Sequence, residues 1–442
     1  MVQKTGFILL LALIFASCVG PKKEHYTVGN TEIMKWQDGK DGAISITFDD
    51  ATINQFRQAL PILDTLGFNG TFFINTADIP GSVFIPRFIG RPLVEIITET
   101  LKVPTDSSNL FERASAVRFL DIPNAVETHN HIGSLFEEGK LVESYRETDN
   151  AFAVVRKRKS HRPIRPVLLT GELITWKELK RFVVGGHEFG NHTISHPRLA
   201  VLDEPNLLYE LEKCKEEILH QLGPLQTFSC ECPFGTENER VMRYAYKIHP
   251  ALRNRMPEPF LKELNRSSST SPADTTREYV QWQRGPLQKT TVDEMKAWVD
   301  TLLVHKNIWL VLTFHGVDGI GWEAKPHREL KEYFTYMKKN EDSLWIATFR
   351  DVARYMRERM SSTIKSTEEK GKIILRVSTT LDTAMYNLPL TLKTVVDPDW
   401  KKVVVKQGNN IQQFAPRSDE KGSFILYRIM PTGVPIELTG NK

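Results

Sequence analysis

A strongly apolar run, Ala43-Ile44-Ser45-Ile46-Thr47-Phe48, stops at two adjacent carboxylates, Asp49 and Asp50. From Asn54 to Leu66 the spacing of Phe56, Leu60 and Leu63 traces one helical face, and Gly67 is a natural stop. Thr71-Phe72-Phe73-Ile74 reads as a second buried strand. Strand, helix and strand with short links form a parallel βαβ unit, and ligands of such sheets collect at the C-terminal strand ends. Asp49 and Asp50 stand at such an end. Two carboxylates there are costly unless a cation neutralises them or chemistry uses them.

The rhythm of strand and helix returns further along. Leu173–Val184 is helical with Thr175 as cap, and His187–Gly190 is a short strand. Leu207–Leu222 is a helix stopped by Gly223-Pro224, and Thr227–Glu231 is strand-like. Val292–His305 is a helix, and Ile308–Phe314 is a strand ending at His315-Gly316. Glu329–Lys338, Trp345–Thr348 and Phe349–Met360 complete the series. The order predicts an α/β fold over residues 42–360, an α/β barrel or a related closed sheet.

Residues 78–165 break the rhythm, with Glu112–Leu120 and Val126–Val155 mostly helical. This insertion is either a lid or wall over the active face or a peripheral decoration. His129 and His131, without an acidic cluster beside them, read as surface histidines. Beyond Ser361 the pattern turns to strands, Lys372–Val377, Leu390–Val396, Lys402–Lys406 and Ser423–Ile429. They predict a small β-sandwich over 361–442, for docking on the barrel or for glycan contact.

Gly186–Pro197 carries His192 and His196 four residues apart. Four residues is one helical turn, so both imidazoles can face one metal ion. Two histidines need a third ligand; without one, the pair is an ordinary hydrogen-bonded pair. With a formal net charge of +4 over 442 residues the chain has no electrostatic footprint for nucleic acid. Its basic run, Arg156–Arg162, reads as a solvated face or a contact for anionic glycans.

Lys4 precedes an apolar run from Phe7 to Phe15, followed by Ala16-Ser17-Cys18, a secretory signal in length and order. The segment resembles the lipobox of bacterial lipoproteins, which implies lipidation of Cys18 and an exported chain held on a membrane of the cell envelope. Residues 19–41 read as an exposed linker. Cys214, Cys230 and Cys232 are an odd set that cannot all pair.

Together the strand-end sites resemble the polysaccharide deacetylase family, the NodB-homology carbohydrate esterases. Thr47-Phe48-Asp49-Asp50 matches the family's first motif, and His192-Thr193-Ile194-Ser195-His196 its second. Leu312-Thr313-Phe314-His315 resembles its last strand, and Thr71-Phe72-Phe73 its second. The resemblance implies Asp50, His192 and His196 as ligands of a divalent metal, Zn²⁺ or a similar ion. It also implies Asp49 as general base, His315 as general acid and the Phe234 turn as oxyanion site. The fold implied is the distorted (β/α) barrel of that family, and the substrate implied is an acetylated carbohydrate, N-acetyl or O-acetyl.

Two departures stand out. The family's Arg-x-Pro-Tyr/Phe motif is matched only by its Pro233-Phe234 portion, without the arginine that orients the base. Arg284 is a candidate substitute, and otherwise an ordinary surface arginine. The Asp-x-x-Asp-Trp motif is not recognisable, and Asp318 is a candidate in its place. These gaps leave room for an alternative, a catalytically impaired, glycan-binding surface lipoprotein.

Overall fold

The computed structural model describes residues 27–157, 171–236, 238–253, 255–257, 261–369, 371–420 and 422–441. Cys18 and most of the basic run (residues 158–162) lie outside the described residues. The strands are β1 Thr31–Ile33, β2 Gly42–Asp49, β3 Thr71–Ile74, β4 Glu188–Asn191, β5 Ser229–Cys230 and β6 Ala251–Leu252. They continue with β7 Leu261–Leu264, β8 Tyr279–Arg284, β9 Ile308–Phe314 and β10 Leu344–Ile346.

Nine of these form one curled sheet of order β6-β5-β4-β3-β2-β9-β8-β7, with β10 beside the first half of β2. Every pairing in it is parallel. Helices Leu60–Leu66, Trp176–Val184, Glu204–Leu222, Val292–Val304 and His327–Lys339 connect its strands. The path stays open between β6 and β7, so the sheet is an incomplete (β/α) barrel. Central β2 is buried at every residue, which is why its sequence shows no polar alternation. Phe48 stacks between Phe72 and Phe314, ring centroids 5.1 and 5.3 Å away, tying β2 to both neighbours.

Local chemistry sets the boundaries. Thr175 caps the helix Trp176–Val184 through a capping box with Glu178, as the Thr-x-x-Glu spacing requires. The segment expected as one helix from Asn54 starts as a π-helix, Gln55–Ala59, before Leu60–Leu66 continues it. Strand β5 shrinks to two residues because Pro224–Thr227 is taken by a 3-10 turn.

The insertion folds into helices Leu93–Glu99, Leu110–Val117, Ala125–Glu137 and Leu141–Arg156. They share a core of Ile96, Val117, Ile132, Phe152 and Val155 with Val201 of the barrel. His131 is exposed, but the expectation for His129 is corrected: it is fully buried, its Nδ1 2.8 Å from the Ala114 carbonyl. Its position on the inner face of Ala125–Glu137, beside buried Ile132, puts it in this core.

The C-terminal region adds β11 Ser362–Glu369, β12 Lys372–Thr379, β13 Leu390–Val395 and β14 Lys402–Gln407. It ends with β15 Asn410–Phe414, β16 Arg417–Asp419, β17 Gly422–Ile429 and β18 Ile436–Asn441. Two antiparallel sheets result, β11-β12-β18-β14-β15 and β1-β13-β17-β16, around a common core that includes Leu375, Leu392, Val405 and Tyr427. The lead-in is therefore not simply a linker: Thr31 pairs with Thr394 and Ile33 with Leu392. The sandwich docks on helix Phe349–Ser361, where the Tyr355 hydroxyl donates to the Met34 carbonyl at 3.0 Å and Glu358 accepts from the Leu388 N–H.

Burial pushes the imidazoles of His129 and His249 down to about 3. His249 is held neutral as a donor to the Thr227 carbonyl and an acceptor from the Asn191 amide. The unfolded chain takes up protons at these two positions below about pH 6.5, while the folded chain does not. Their contribution is therefore complete above that pH and is lost as pH falls toward 3. In urea titrations the midpoint should drop between about pH 6.5 and 4.5, and His129→Asn should flatten that drop by close to one proton.

Candidate functional site

The residues of the candidate site gather at the C-terminal ends of the parallel strands. Asp49 closes β2 and Asp50 follows it; His192 follows β4; Glu231 follows β5; Arg253 follows β6; His315 follows β9. They surround an open cleft of about 1010 Å³, which Phe136, Glu137, Arg198, Phe234, Asn265, Arg266 and Trp322 also line. Phe136 and Glu137 belong to the insertion, so that segment forms one wall.

Asp50, His192 and His196 offer donor atoms all within 4.8 Å of one another. Nε2 of His192 and of His196 lie 3.5 and 3.4 Å from Asp50 Oδ1. Atoms bound at 2.0–2.2 Å to one tetrahedral ion stand about 3.3–3.6 Å apart, so the separations fit a shared cation. His192 Nδ1 lies 2.8 Å from the Glu231 carbonyl; donating there frees the Nε2 lone pair for the cation. Burial and the neighbouring His192 lower His196 to about 4, which suits a neutral ligand. One carboxylate and two imidazoles leave coordination positions open, as a catalytic site requires.

The histidine pair does not occupy one helical turn, contrary to the spacing argument. The segment is a loop in which Thr193 has φ 72° and His196 φ 55°. Asn191 Oδ1 accepts from the Thr193 N–H at 2.7 Å, and Thr193 Oγ1 from the His196 N–H at 3.0 Å. These side chains hold the left-handed turns that bring both rings to Asp50. Asp50, Ala51 and Phe234 also have positive φ. Of the nine non-glycine residues with positive φ among the described residues, Asp50, His196 and Phe234 line the cleft and Ala51 and Thr193 belong to the same loops, a concentration expected of strained functional loops. Glu210 accepts from the N–H groups of Ile194 and Ser195, and Arg118 of the insertion donates to the Ser195 hydroxyl and carbonyl.

Asp49 is 3% exposed, and Arg253 clamps it with bonds of 2.7 and 2.6 Å to the two carboxylate oxygens. The same guanidinium donates to Thr47 Oγ1 at 2.8 Å and reaches Glu231 Oε1 at 2.9 Å. Burial works against ionising Asp49, but the Arg253 guanidinium outweighs it, with His315 assisting, and holds the carboxyl well below the usual range. His315 Nε2 lies 3.4 Å from Asp49 Oδ2, and Gln55 Nε2 donates to the carbonyls of both Asp49 and His315.

Arg284 is not the residue that orients Asp49. Its Nη1 donates to the Arg266 carbonyl at 3.3 Å and its guanidinium lies over the Trp282 ring. Asp318 likewise does not support His315, since it accepts from the backbone and ring nitrogens of His327. Phe234 sits at the cleft, 44% exposed, its ring 4.6 Å from His196 and beneath the Arg198 guanidinium.

Residues 124–251 match the polysaccharide deacetylase family model. Over that span the chain is similar to the family. The match contains the His192/His196 loop and Phe234; Asp49, Asp50, Arg253 and His315 lie outside it. A gellan lyase from a Bacillus species is 22% identical over 274 residues, 56% of this chain and 10% of that protein. The chain thus spans about a tenth of that curated relative's length. Among solved structures, a putative polysaccharide deacetylase from Mycobacterium smegmatis is 13% identical, with 77% of this chain and 98% of that one covered and a TM-score of 0.35. PdaA of Bacillus subtilis, a family 4 carbohydrate esterase, is 13% identical, with 73% and 84% covered and a TM-score of 0.34. A mutant of a family 4 pseudoenzyme is 11% identical, with 73% and 70% covered and a TM-score of 0.34. At these scores the reading of the site rests on its own geometry.

Removing Arg253 leaves two buried carboxylates facing each other. Arg253→Met should cost about 3–5 kcal/mol in urea unfolding, the penalty of stranding a buried charge. Arg284→Met should cost well under 1 kcal/mol, as for most partly exposed positions.

Proposed function

We propose that the chain is a metal-dependent carbohydrate deacetylase, releasing acetate from an N-acetylated amino sugar or an O-acetylated sugar, with Zn²⁺ as its cation. The observation that carries this reading is the meeting, in one cleft, of the Asp50–His192–His196 donor set with an Arg253-clamped Asp49 and with His315. A divalent cation bound by that set supplies Lewis acidity, polarising the acetyl carbonyl and acidifying a water molecule.

The chain's own residues supply the rest. Asp49, kept ionised and fixed in direction by Arg253, takes the proton of the attacking water. His315, 3.4 Å from Asp49, delivers a proton to the departing nitrogen or oxygen. A backbone N–H of the Phe234 turn stabilises the developing oxyanion. Phe136, Phe234 and Trp322 offer aromatic surface to sugar rings along the cleft. The family match and the resemblance of the motifs support an acetylated carbohydrate as substrate. The apolar run ending at Ala16-Ser17-Cys18 supports an exported chain tethered to the cell envelope through lipidated Cys18.

Acetate release from a panel of N- and O-acetylated oligosaccharides, with and without chelator, tests this reading. Release should stop on chelation and return with Zn²⁺. Asp49→Asn should lower kcat at least about 100-fold, with calorimetric metal binding kept, whereas His192→Ala should lose the metal itself. Release that survives both chelation and loss of Asp49 rules out this mechanism. Stoichiometric metal without release from any substrate turns the reading to a glycan-binding protein.

A further inference from the structure

Among the described residues three arginines line the cleft, and two are paired with carboxylates. Arg198 pairs with Glu137, and Arg253 with Asp49 and Glu231. Arg266 differs: among the described residues no carboxylate lies within 4.0 Å of its guanidinium, although it faces the same cavity. Asp49 and Glu231 act on it only from beyond that distance, and a guanidinium whose five donors meet no described carboxylate directly, beside a substrate cleft, is suited to a planar oxyanion.

Its position is built by its neighbours. The stem of Arg266 passes over Gly285, where an added Cβ would stand 2.8 Å from Arg266 Cδ and equally close to the Thr313 carbonyl. Its carbonyl accepts from Arg284, which anchors the segment from below. Its guanidinium carbon lies 5.5 Å from the ring centre of Trp322. That indole is 50% exposed and stands edge-on to His315, with centroids 4.7 Å apart. From His315 outward, the cleft thus presents an open aromatic face and then a cation that no described carboxylate contacts directly. Asn265 and Ser267, on either side of Arg266, add neutral polar lining.

We propose that Arg266 recognises a carboxylate on the glycan, so that the substrate is an acidic polysaccharide whose acetylated sugar is linked to a carboxylate-bearing one. The sugar at the reacting centre lies against Trp322, and its acidic neighbour, or an acidic substituent of that neighbour, reaches the guanidinium in the two-toothed arrangement that arginine makes with carboxylates. A uronic acid and a lactyl ether supply the same chemistry. This inference rests on the deacetylase reading for its catalytic test, and a binding test stands apart from that reading.

The catalytic test compares kcat/KM for an acetylated uronate-containing oligosaccharide with that for the same oligosaccharide after reduction of its carboxyl groups. A lactyl-bearing acetylated amino-sugar oligosaccharide and its reduced form make the second arm. The metal-loaded enzyme should prefer the acid form in one arm by about 10- to 100-fold, the range for a charged hydrogen-bonded pair. The preference should fall to near one in Arg266→Gln, survive partly in Arg266→Lys, and weaken with added salt. An unchanged preference in Arg266→Gln, or none in the parent enzyme in either arm, overturns the proposal. The binding test measures calorimetric affinity of Asp49→Asn for the same four oligosaccharides, with and without Arg266→Gln. Acid-selective binding that depends on Arg266 upholds the carboxylate site even where no acetate is released. Equal binding of acid and reduced forms removes the site even where acetate is released.

Discussion

Arg253 is the interaction on which the cleft depends. Its guanidinium is 2% exposed and lies between two carboxylates that are themselves buried, Asp49 and Glu231. Three charges placed so deep are unfavourable one by one and tolerable only as a set in which every pairing has hydrogen-bond geometry. The clamp has a second effect. By engaging both oxygens of Asp49 it removes that side chain's rotational freedom and keeps it charged next to the Asp50 donor set. Asp49 and the Asp50–His192–His196 donor set are thus held in register by one buried residue.

Glu231 stands two residues before Pro233 and contributes to this arrangement in two ways. Its carboxylate anchors Arg253 from the far side, and its carbonyl accepts from His192 Nδ1, fixing the ring that faces Asp50. The guanidinium that pairs with Asp49 stands at the end of β6, and the carboxylate that backs it stands at the end of β5.

The legible parts of the sequence were those whose signal is local. The run before Asp49 announced a buried strand, and the four-residue spacing of His192 and His196 announced a shared target, though not the left-handed loop that achieves it. That loop depends on the Thr193 and His196 N–H groups donating to the side chains of Asn191 and Thr193, which spacing does not report. Arg253 was hidden for a different reason. It follows a strand of two residues, Ala251–Leu252, too short to show any periodicity, and its partners are 204 and 22 positions away. The clue was electrostatic: acidic residues ending two core strands demand a cation from a neighbouring strand end. Strand β1 was hidden likewise, since three residues paired with β13 show no pattern of their own.

That pairing has a consequence for the order in which the molecule can be completed. Thr31 and Thr394 are neighbours in one sheet, with the whole barrel strung between them. A chain that emerges from its N-terminus first must hold this strand unsatisfied until the last eighth of its length has arrived. Closing so long a loop costs little more entropy than closing a moderate one, but contacts this distant form late. The sandwich acts as a seal made after the barrel is in place, joining the beginning of the fold to its end.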